Sequence, residues 1–255
     1  MITLTHNYHT HTARCGHAAG TDRAYVEAAV QAGIQVLGFS DHMPWWADTP
    51  GLDRSRMNIS LIDDYFRSLT ELKAEFAGQI ELHIGFEAEY YEDLMSGQLE
   101  RLRDYPCEYL ILGQHFAGYA DRSQYYGRPF DDPAYLETYT RQVTEGIRTG
   151  LFKYLAHPDI LLYRGADEAP LLRCYEQIIQ AAKDADLPVE INILGMREGR
   201  NYPTETFFRM AAENGNRAII GIDAHAPEQL LLSEDLLARA EALVGTMPLV
   251  CSLEL

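Results

Sequence analysis

The sequence predicts a single α/β domain built as a closed or nearly closed barrel of parallel strands. Short apolar runs alternate with amphipathic stretches along the chain, which is typical of strands alternating with helices and of a parallel sheet. Seven or eight such units fit in 255 residues, and a β/α barrel of about 250 residues is an ordinary single domain. A doubly wound open sheet is the alternative. It usually carries a glycine-rich phosphate loop after its first strand, where this chain has YHTHT.

The predicted strands are short apolar runs, and the predicted helices have an apolar stripe along one side. Strands are predicted at 2–8, 35–40, 80–86, 108–113, 153–156, 188–193 and 218–222, with a closing strand at 249–253. Helices are predicted from Thr21, from Ser60, and at about 92–103, 136–150, 171–182, 204–214 and 227–244. Thr21 and Ser60 are predicted to cap their helices, because hydroxyl side chains accept hydrogen bonds from the first free amides.

Composition and charge exclude several classes of protein. The formal net charge is −17, from 38 acidic and 21 basic residues, whereas nucleic-acid backbones are usually bound by a basic patch. No stretch approaches the roughly 20 apolar residues of a membrane helix, and the N-terminus lacks the pattern of a signal peptide. The four cysteines are scattered without a CxxC motif, as in reduced cytosolic proteins. We therefore expect a cytoplasmic protein that binds neither long nucleic acids nor membranes.

Histidines concentrate just past the C-terminal ends of the predicted strands, beginning with three in YHTHTARCGH after the first strand. The seven histidines at such places are His9, His11, His17, His42, His115, His157 and His225. Glu87 in GFEAEYYE and Asp223 in GIDAH occupy the same kind of place. The loops after parallel barrel strands converge on one face. A single histidine there would more often be structural, but seven together favour a metal site.

These nine donors are too many for one ion, since a tetrahedral metal takes about four ligands. They suit two or three cations. Glu87 is the best candidate to bridge two of them, and Glu89 is a weaker one. Imidazole-rich sites favour Zn, Fe, Mn or Ni over Mg or Ca. Cys15 could ligate by its spacing, although a lone loop cysteine is more often inert.

Six motifs in this order resemble the PHP (polymerase and histidinol phosphatase) family: YHTHT, GFSDHMP, GFEAEYYE, LGQHF, LAHPD and GIDAH. The resemblance runs from residue 5 to about 228. GFSDHMP and VEINILGMREGRNYPTE look most like the stand-alone histidinol-phosphate phosphatases of that family. The motifs depart from the family at GIDAH, where a serine often precedes the aspartate, and at AHPD, where GHxD is common. Neither departure removes a ligand.

The resemblance implies a distorted (β/α)₇, TIM-like barrel spanning 1–255 as one domain, with a trinuclear cluster of Zn, Fe or Mn at the C-terminal ends of the strands. It implies three ligand sets: His9, His11, Glu87 and Asp223 for the first metal; Glu87, His115 and His157 for the second; His17, His42 and His225 for the third.

The implied reaction is metal-dependent hydrolysis of a small phosphate monoester, most closely L-histidinol phosphate in histidine biosynthesis. Arg197 is the best candidate to grip the phosphate with its two-pronged guanidinium, and Arg164 is the second. Catalytic roles are expected for Glu87, Asp223 and Arg197. Asp223 or a metal-bound water would protonate the leaving alkoxide, and the sequence does not decide between them.

Other functions stay open at this point. The chain could be a PHP phosphoesterase for nucleotides, or a PHP module that binds metal without catalysis. A metal hydrolase of C–N bonds is less favoured, because such sites commonly use a lysine and the three lysines here are poorly placed. Trp45 and Trp46 either wall the substrate pocket or pack their loop onto the barrel.

Overall fold

The computed structural model describes residues 2–45, 55–119 and 123–255. Strands and helices alternate through most of these ranges. The strands are β1 (His6–Asn7), β2 (Val36–His42), β3 (Glu81–Ala88), β4 (Tyr109–Leu112), β5 (Val189–Asn192) and β6 (Ala218–Gly221). The helices are α1 (Asp22–Gln31), α2 (Ile62–Glu75), α3 (Glu92–Leu102), α4 (Ala134–Arg148), α5 (Ala169–Asp184), α6 (Ile193–Glu198), α7 (Glu205–Glu213) and α8 (Glu234–Val244).

The strands form two parallel sheets that meet edge to edge. One has the order β1-β2-β3-β4 and the other pairs β5 with β6. Leu155 forms parallel bridges to Leu112 of β4 and to Val189 of β5, which joins the sheets on one side. Thr10 bridges Ala224 on the other side, where the His11 amide donates to the Ala224 carbonyl at 2.9 Å. The curled sheets therefore enclose a barrel, and the predicted α/β barrel is confirmed.

Some predicted elements are shorter than expected. The segment predicted as a strand at 153–156 does bond to β4, since the Lys153 and Ala156 amides donate to the Leu110 and Leu112 carbonyls at 2.9 and 2.8 Å. Within it, Leu155 is the residue that forms parallel bridges, to Leu112 and to Val189. The predicted first strand pairs regularly only over His6–Asn7. The predicted closing strand contributes a single bridge from Leu249 to Ala218.

Two predicted helix caps have different outcomes. Thr21 caps α1, since its hydroxyl accepts a hydrogen bond from the Ala24 amide at 3.2 Å. Ser60 is not a cap. Asn58 instead accepts a hydrogen bond from the Ser60 amide at 3.0 Å and starts a short 3-10 turn, Ile59–Leu61, that leads into α2. An Asn side chain caps such a turn as well as a serine would.

The barrel has an outer and an inner core. The outer core lies between strands and helices, and it includes Leu37 and Phe39 of β2. The inner core fills the barrel itself with side chains from alternate strand positions, namely Tyr8, Val36, Tyr109, Ile111, Tyr154, Ala156 and Ile219. Glycines make room for the largest of these rings. A Cβ at Gly38 would lie 2.3 Å from the Tyr109 hydroxyl oxygen, and one at Gly85 would lie 2.6 Å from the ring.

None of the helices in the described ranges is long and apolar enough to span a membrane.

Candidate metal centre

Glu87 lies at the centre of the histidine cluster. It is the penultimate residue of β3, and its side chain is 1% exposed. Five imidazoles surround its carboxylate. Oε1 lies 2.7 Å from His157 Nε2, 3.5 Å from His115 Nε2 and 3.6 Å from His9 Nε2. Oε2 lies 2.8 Å from His42 Nδ1 and 3.7 Å from His11 Nε2. Each carboxylate oxygen therefore faces its own set of rings.

Asp223 is the second carboxylate of the cluster and follows β6. Its Oδ1 lies 3.0 Å from His11 Nε2, 3.4 Å from His9 Nε2 and 3.5 Å from His225 Nδ1. Its backbone has a φ of 55°, which is uncommon for a residue other than glycine. Asp223 and Glu87 thus share two histidines from the end of β1.

His17 and His225 form the outer, more exposed part of the cluster. Their Nε2 atoms are 3.0 Å apart. The His17 ring lies 5.2 Å from the His42 ring, and the His225 ring lies 4.1 Å from the His11 ring, measured between centroids. The structure therefore brings all nine predicted donors into one continuous cluster at the C-terminal ends of the strands, where the sequence predicts them. Their role as ligands stays a prediction.

Eight buried nitrogen and oxygen atoms in this cluster form no hydrogen bond with the described residues. They are His9 Nε2, His11 Nδ1, His11 Nε2, His42 Nδ1, His115 Nδ1, His157 Nδ1, Glu87 Oε2 and Asp223 Oδ1. Buried polar atoms are normally satisfied, and each exception requires an explanation such as an ion. A bound cation would satisfy those that point into the cluster. Imidazole and carboxylate donors suit Zn, Fe or Mn, so the residues fit the implied metals.

Donor atoms group into several sets whose members all lie within 4.8 Å of one another. The sets include His9 with Glu87 and His157, His9 with His11 and Asp223, and His11 with His42 and His225. A further set joins the buried Cys15 to His17 and His225. The Cys15 thiol, a weak ligand candidate from the sequence, thus lies beside the cluster, with its Sγ 4.0 Å from His17 Nε2.

The cluster holds its carboxylates in the charged state that binds cations. Burial alone would raise the pKa of Glu87, but the surrounding imidazoles, His115 first among them, and the hydrogen bond from His157 outweigh burial and hold that pKa well below its ordinary value. Burial, reinforced by the neighbouring His11, lowers the pKa of His42 well below its ordinary value. Burial alone would also lower the pKa of His11, but Asp223 and Asp41 outweigh burial and raise it to about 9. A divalent ion would therefore have to displace a proton from His11 in order to bind its ring nitrogen.

Carboxylates that escape prediction from the sequence support the cluster from outside. Glu190 on β5 contacts His9 Nδ1 through Oε1 at 2.7 Å. Asp41 on β2 accepts a hydrogen bond from the Thr12 hydroxyl and lies 3.5 Å from His11 Nδ1. The sequence gives no clear signal for either residue, since the structure is what shows that both strands are buried at every position.

Glu89 supports His115 rather than sharing the centre with Glu87. Its Oε1 accepts hydrogen bonds from the amides of His115 at 2.9 Å and Phe116 at 3.1 Å. Its Oε2 pairs with Arg56 at 2.6 Å. Both side chains of that pair are at least 95% buried. Glu89 therefore fixes the loop after β4 and is a weaker bridging candidate, as the sequence indicates.

The two predicted phosphate-binding arginines differ in their surroundings. Arg197, on α6, donates from Nη2 to the Gln229 carbonyl at 2.6 Å, and its Nη1 is buried without a hydrogen bond among the described residues. Gln229 also accepts from the His225 amide at 2.7 Å, so Arg197 lies beside the loop that carries a predicted ligand. Arg164 is exposed, and within the described ranges no side-chain contact connects it to the cluster.

The Trp45 side chain packs against Arg56 and Tyr91. Its ring lies 3.9 Å below the Arg56 guanidinium and 6.0 Å from the Tyr91 ring. These contacts favour the packing role over a pocket wall. Trp46 lies outside the described residues.

The motifs, the barrel and the donor cluster agree with one known family. A family model for the PHP domain matches residues 7–193. The chain belongs to the PHP domain family. Among curated relatives, a probable histidinol-phosphatase from Deinococcus radiodurans is 30% identical over 239 residues, covering 87% of this chain and 86% of that one. A histidinol-phosphatase from Bacillus subtilis is 24% identical over 249 residues, covering 85% of this chain and 92% of that one.

Solved structures show the same PHP fold. A histidinol phosphate phosphatase from Lactococcus lactis, complexed with Zn, L-histidinol and phosphate, superposes with a TM-score of 0.74 at 18% identity, covering 98% of this chain and 99% of that one. A structure from Listeria monocytogenes, described as a candidate histidinol phosphatase, gives a TM-score of 0.68 at 18% identity, covering 88% of this chain and 96% of that one. The predicted family and TIM-like fold are thereby confirmed.

Proposed function

We propose that this PHP protein is a metal-dependent phosphomonoesterase that hydrolyses L-histidinol phosphate to L-histidinol and phosphate. The observation that carries the proposal is the buried cluster of seven imidazoles and two carboxylates, with donor atoms left without hydrogen bonds among the described residues. The curated relatives named above are phosphatases, in agreement with the predicted class of enzyme. The relative from Lactococcus lactis was crystallised with Zn, L-histidinol and phosphate.

We assign the metal ligands as the PHP resemblance implies, as three sets that together use all nine donors. Glu87 suits the bridging position, because its two oxygens face different histidines at 2.7 and 2.8 Å. When bound, divalent cations make water acidic enough to act as a nucleophile near neutral pH and neutralise the charge that develops on the phosphoryl oxygens. Metal analysis of the purified protein would identify the native metal among Zn, Fe and Mn.

Asp223 is better suited to hold a cation than to protonate the leaving alkoxide. Burial alone would raise its pKa, but His9, His11 and His225 outweigh burial and hold that pKa well below its ordinary value. A carboxylic acid with so low a pKa is rarely protonated near neutral pH. Of the two proton donors that the sequence leaves open, Asp223 is thus the less favoured.

Arg197 is proposed to bind the phosphate. Its Nη2 is held by the Gln229 carbonyl, which positions the guanidinium, while its buried Nη1 keeps unused hydrogen-bonding capacity. Charge-assisted hydrogen bonds from such a group to phosphate oxygens are among the stronger ones in proteins. Arg164 remains a prediction from the sequence without a supporting contact.

The test is a set of initial rates on protein whose metal content has been measured. The metal-loaded enzyme should prefer histidinol phosphate to a panel of nucleotides, and Glu87→Ala should lose both activity and metal. A strong preference for nucleotides would support the second phosphoesterase hypothesis instead. Metal-loaded protein that hydrolyses no phosphate ester would point to a non-catalytic PHP module. A cytoplasmic location remains a prediction.

A further inference from the structure

Glu190 is a fully buried carboxylate on the inner side of β5, with an exposed fraction of 0%. Its Oε1 lies 2.7 Å from His9 Nδ1. Its Oε2 accepts hydrogen bonds from the His157 amide at 2.9 Å and from Asn192 Nδ2 at 2.9 Å. Asn192 Nδ2 also donates to Asp223 Oδ2 at 3.1 Å. One strand therefore connects three of the predicted metal ligands, which come from three other segments of the barrel.

We propose that Glu190 is a positioning residue that orients His9 and His157 for cation binding. This inference rests on the proposed function, because it concerns how the same metal centre is held. A carboxylate against Nδ1 keeps the ring proton on that nitrogen and leaves Nε2 free as the ligand atom. His9 Nε2 is the ring atom that faces Glu87 and Asp223, at 3.6 and 3.4 Å.

The chemistry of this position requires a carboxylate rather than an amide. His9 Nδ1–H, the His157 N–H and the Asn192 NH₂ group are all donors, so the side chain between them must offer only acceptors. A glutamine has one acceptor oxygen and one NH₂ group. In either orientation the glutamine NH₂ group would face a donor, so the hydrogen bond to His9 or the one to the His157 amide would be lost.

Two features indicate that the chain maintains this carboxylate at a cost. No lysine or arginine in the described part of the chain forms an ion pair with Glu190, although a buried charge is expensive unless it is paired and hydrogen-bonded. Gly221, at the end of β6, leaves it space. A Cβ at Gly221 would lie 1.8 Å from Glu190 Oε1, so any larger residue would displace the oxygen that holds His9.

The experiment compares Zn²⁺ affinity between wild type and Glu190→Gln by competition with a chelator, using circular dichroism to confirm folding of the metal-free proteins. Glu190→Gln should bind Zn²⁺ about 10- to 100-fold more weakly, as expected when an outer partner of a ligating histidine is lost. Glu108→Gln is the matched control. Glu108 also accepts a backbone hydrogen bond, from the Ile84 amide at 2.8 Å, but it precedes β4 at the opposite end of the barrel. The Zn²⁺ affinity of the Glu108→Gln variant should equal that of wild type.

Equal affinity in Glu190→Gln and wild type, or equal losses in both variants, would overturn the inference. Wild-type protein that binds none of Zn²⁺, Fe²⁺ and Mn²⁺ would defeat the proposed function itself, and the inference with it. If Glu190→Gln does not fold, ¹⁵N-histidine NMR of the Zn²⁺-loaded wild type gives the answer. His9 should show a slowly exchanging proton on Nδ1 and a metal-bound Nε2. Coordination through Nδ1 would contradict the role of Glu190.

Discussion

Gly113 follows β4 and leaves room for the central carboxylate of the cluster. A Cβ at this position would lie 1.9 Å from Glu87 Oε1 and 2.5 Å from its Cδ. Ordinary contact begins at 3.4 Å, so Oε1 would have to retreat by about 1.5 Å, the difference of the two distances. The backbone of Gly113 is not in the left-handed region. The variant Gly113→Ala therefore tests the position of Glu87 without changing any titratable group.

The expected loss follows from that displacement. Oε1 is the oxygen that contacts His157 at 2.7 Å and also faces His115 and His9. Since a misplacement of about 1 Å in an active site can cost about 10²-fold in rate, we expect kcat to fall by at least that factor. Overpacking should also lower the free energy of unfolding by about 1–3 kcal/mol.

The assay is phosphate release from histidinol phosphate by metal-loaded enzyme, combined with urea denaturation of the same preparations. Gly97→Ala is the matched control, because a Cβ at this position in α3 would meet nothing within 4 Å. The control should keep the wild-type kcat. Its free energy of unfolding should rise by about 0.5–1 kcal/mol, because alanine replaces glycine inside a helix. A Gly113→Ala enzyme with wild-type kcat and metal content would refute a central role for the Glu87 position.

Three other predictions use different measurements. Arg197→Ala should raise KM for histidinol phosphate about 10- to 100-fold, since a hydrogen bond to a charged group contributes about 1.5–3 kcal/mol; loss of metal in this variant would show that Arg197 is misplaced. Gly85→Ala should lower the free energy of unfolding by about 1–3 kcal/mol in urea, because its Cβ would lie 2.6 Å from an inner-core ring; unchanged stability would contradict that packing. Burial alone would raise the pKa of Glu108, but hydrogen bonds from His83 and Lys73 lower it from 4.5 to about 2. The Glu108 carboxylate should therefore stabilise the fold above about pH 4.5, and this stabilisation should be lost as the pH falls towards 2. If Glu108→Gln unfolds in acid at the same pH as wild type, Glu108 makes no such contribution.

The donor set could be predicted because each donor follows an apolar run that reads as a strand. Parallel strands place such residues on one rim whatever the lengths of the intervening helices. His9 and Asp223 are thus recognisable from local sequence, although they meet only in the folded barrel. The family motifs added the grouping of ligands, which spacing alone does not provide.

The supporting carboxylates could not be predicted in the same way. Glu190 lies within VEIN, where a polar residue between apolar ones reads as an ordinary alternating strand. Its partner His9 is 181 positions away in the chain. The segment KYLA has the composition of a strand and bonds to β4, but its composition does not show that Leu155 bridges both sheets.

One of the two contacts that join the sheets lies directly between predicted ligands. Thr10, between His9 and His11, bridges Ala224, between Asp223 and His225. A cation held by His9, His11 and Asp223 would therefore cross-link the first and last strands of the barrel. Ligands that bind only the native state stabilise it, so chelation should lower the melting temperature. Chelation should also speed hydrogen exchange at the His11 and Ala224 amides more than at amides inside β2 and β3. The closure of the barrel would then depend on the bound metal as well as on the polypeptide.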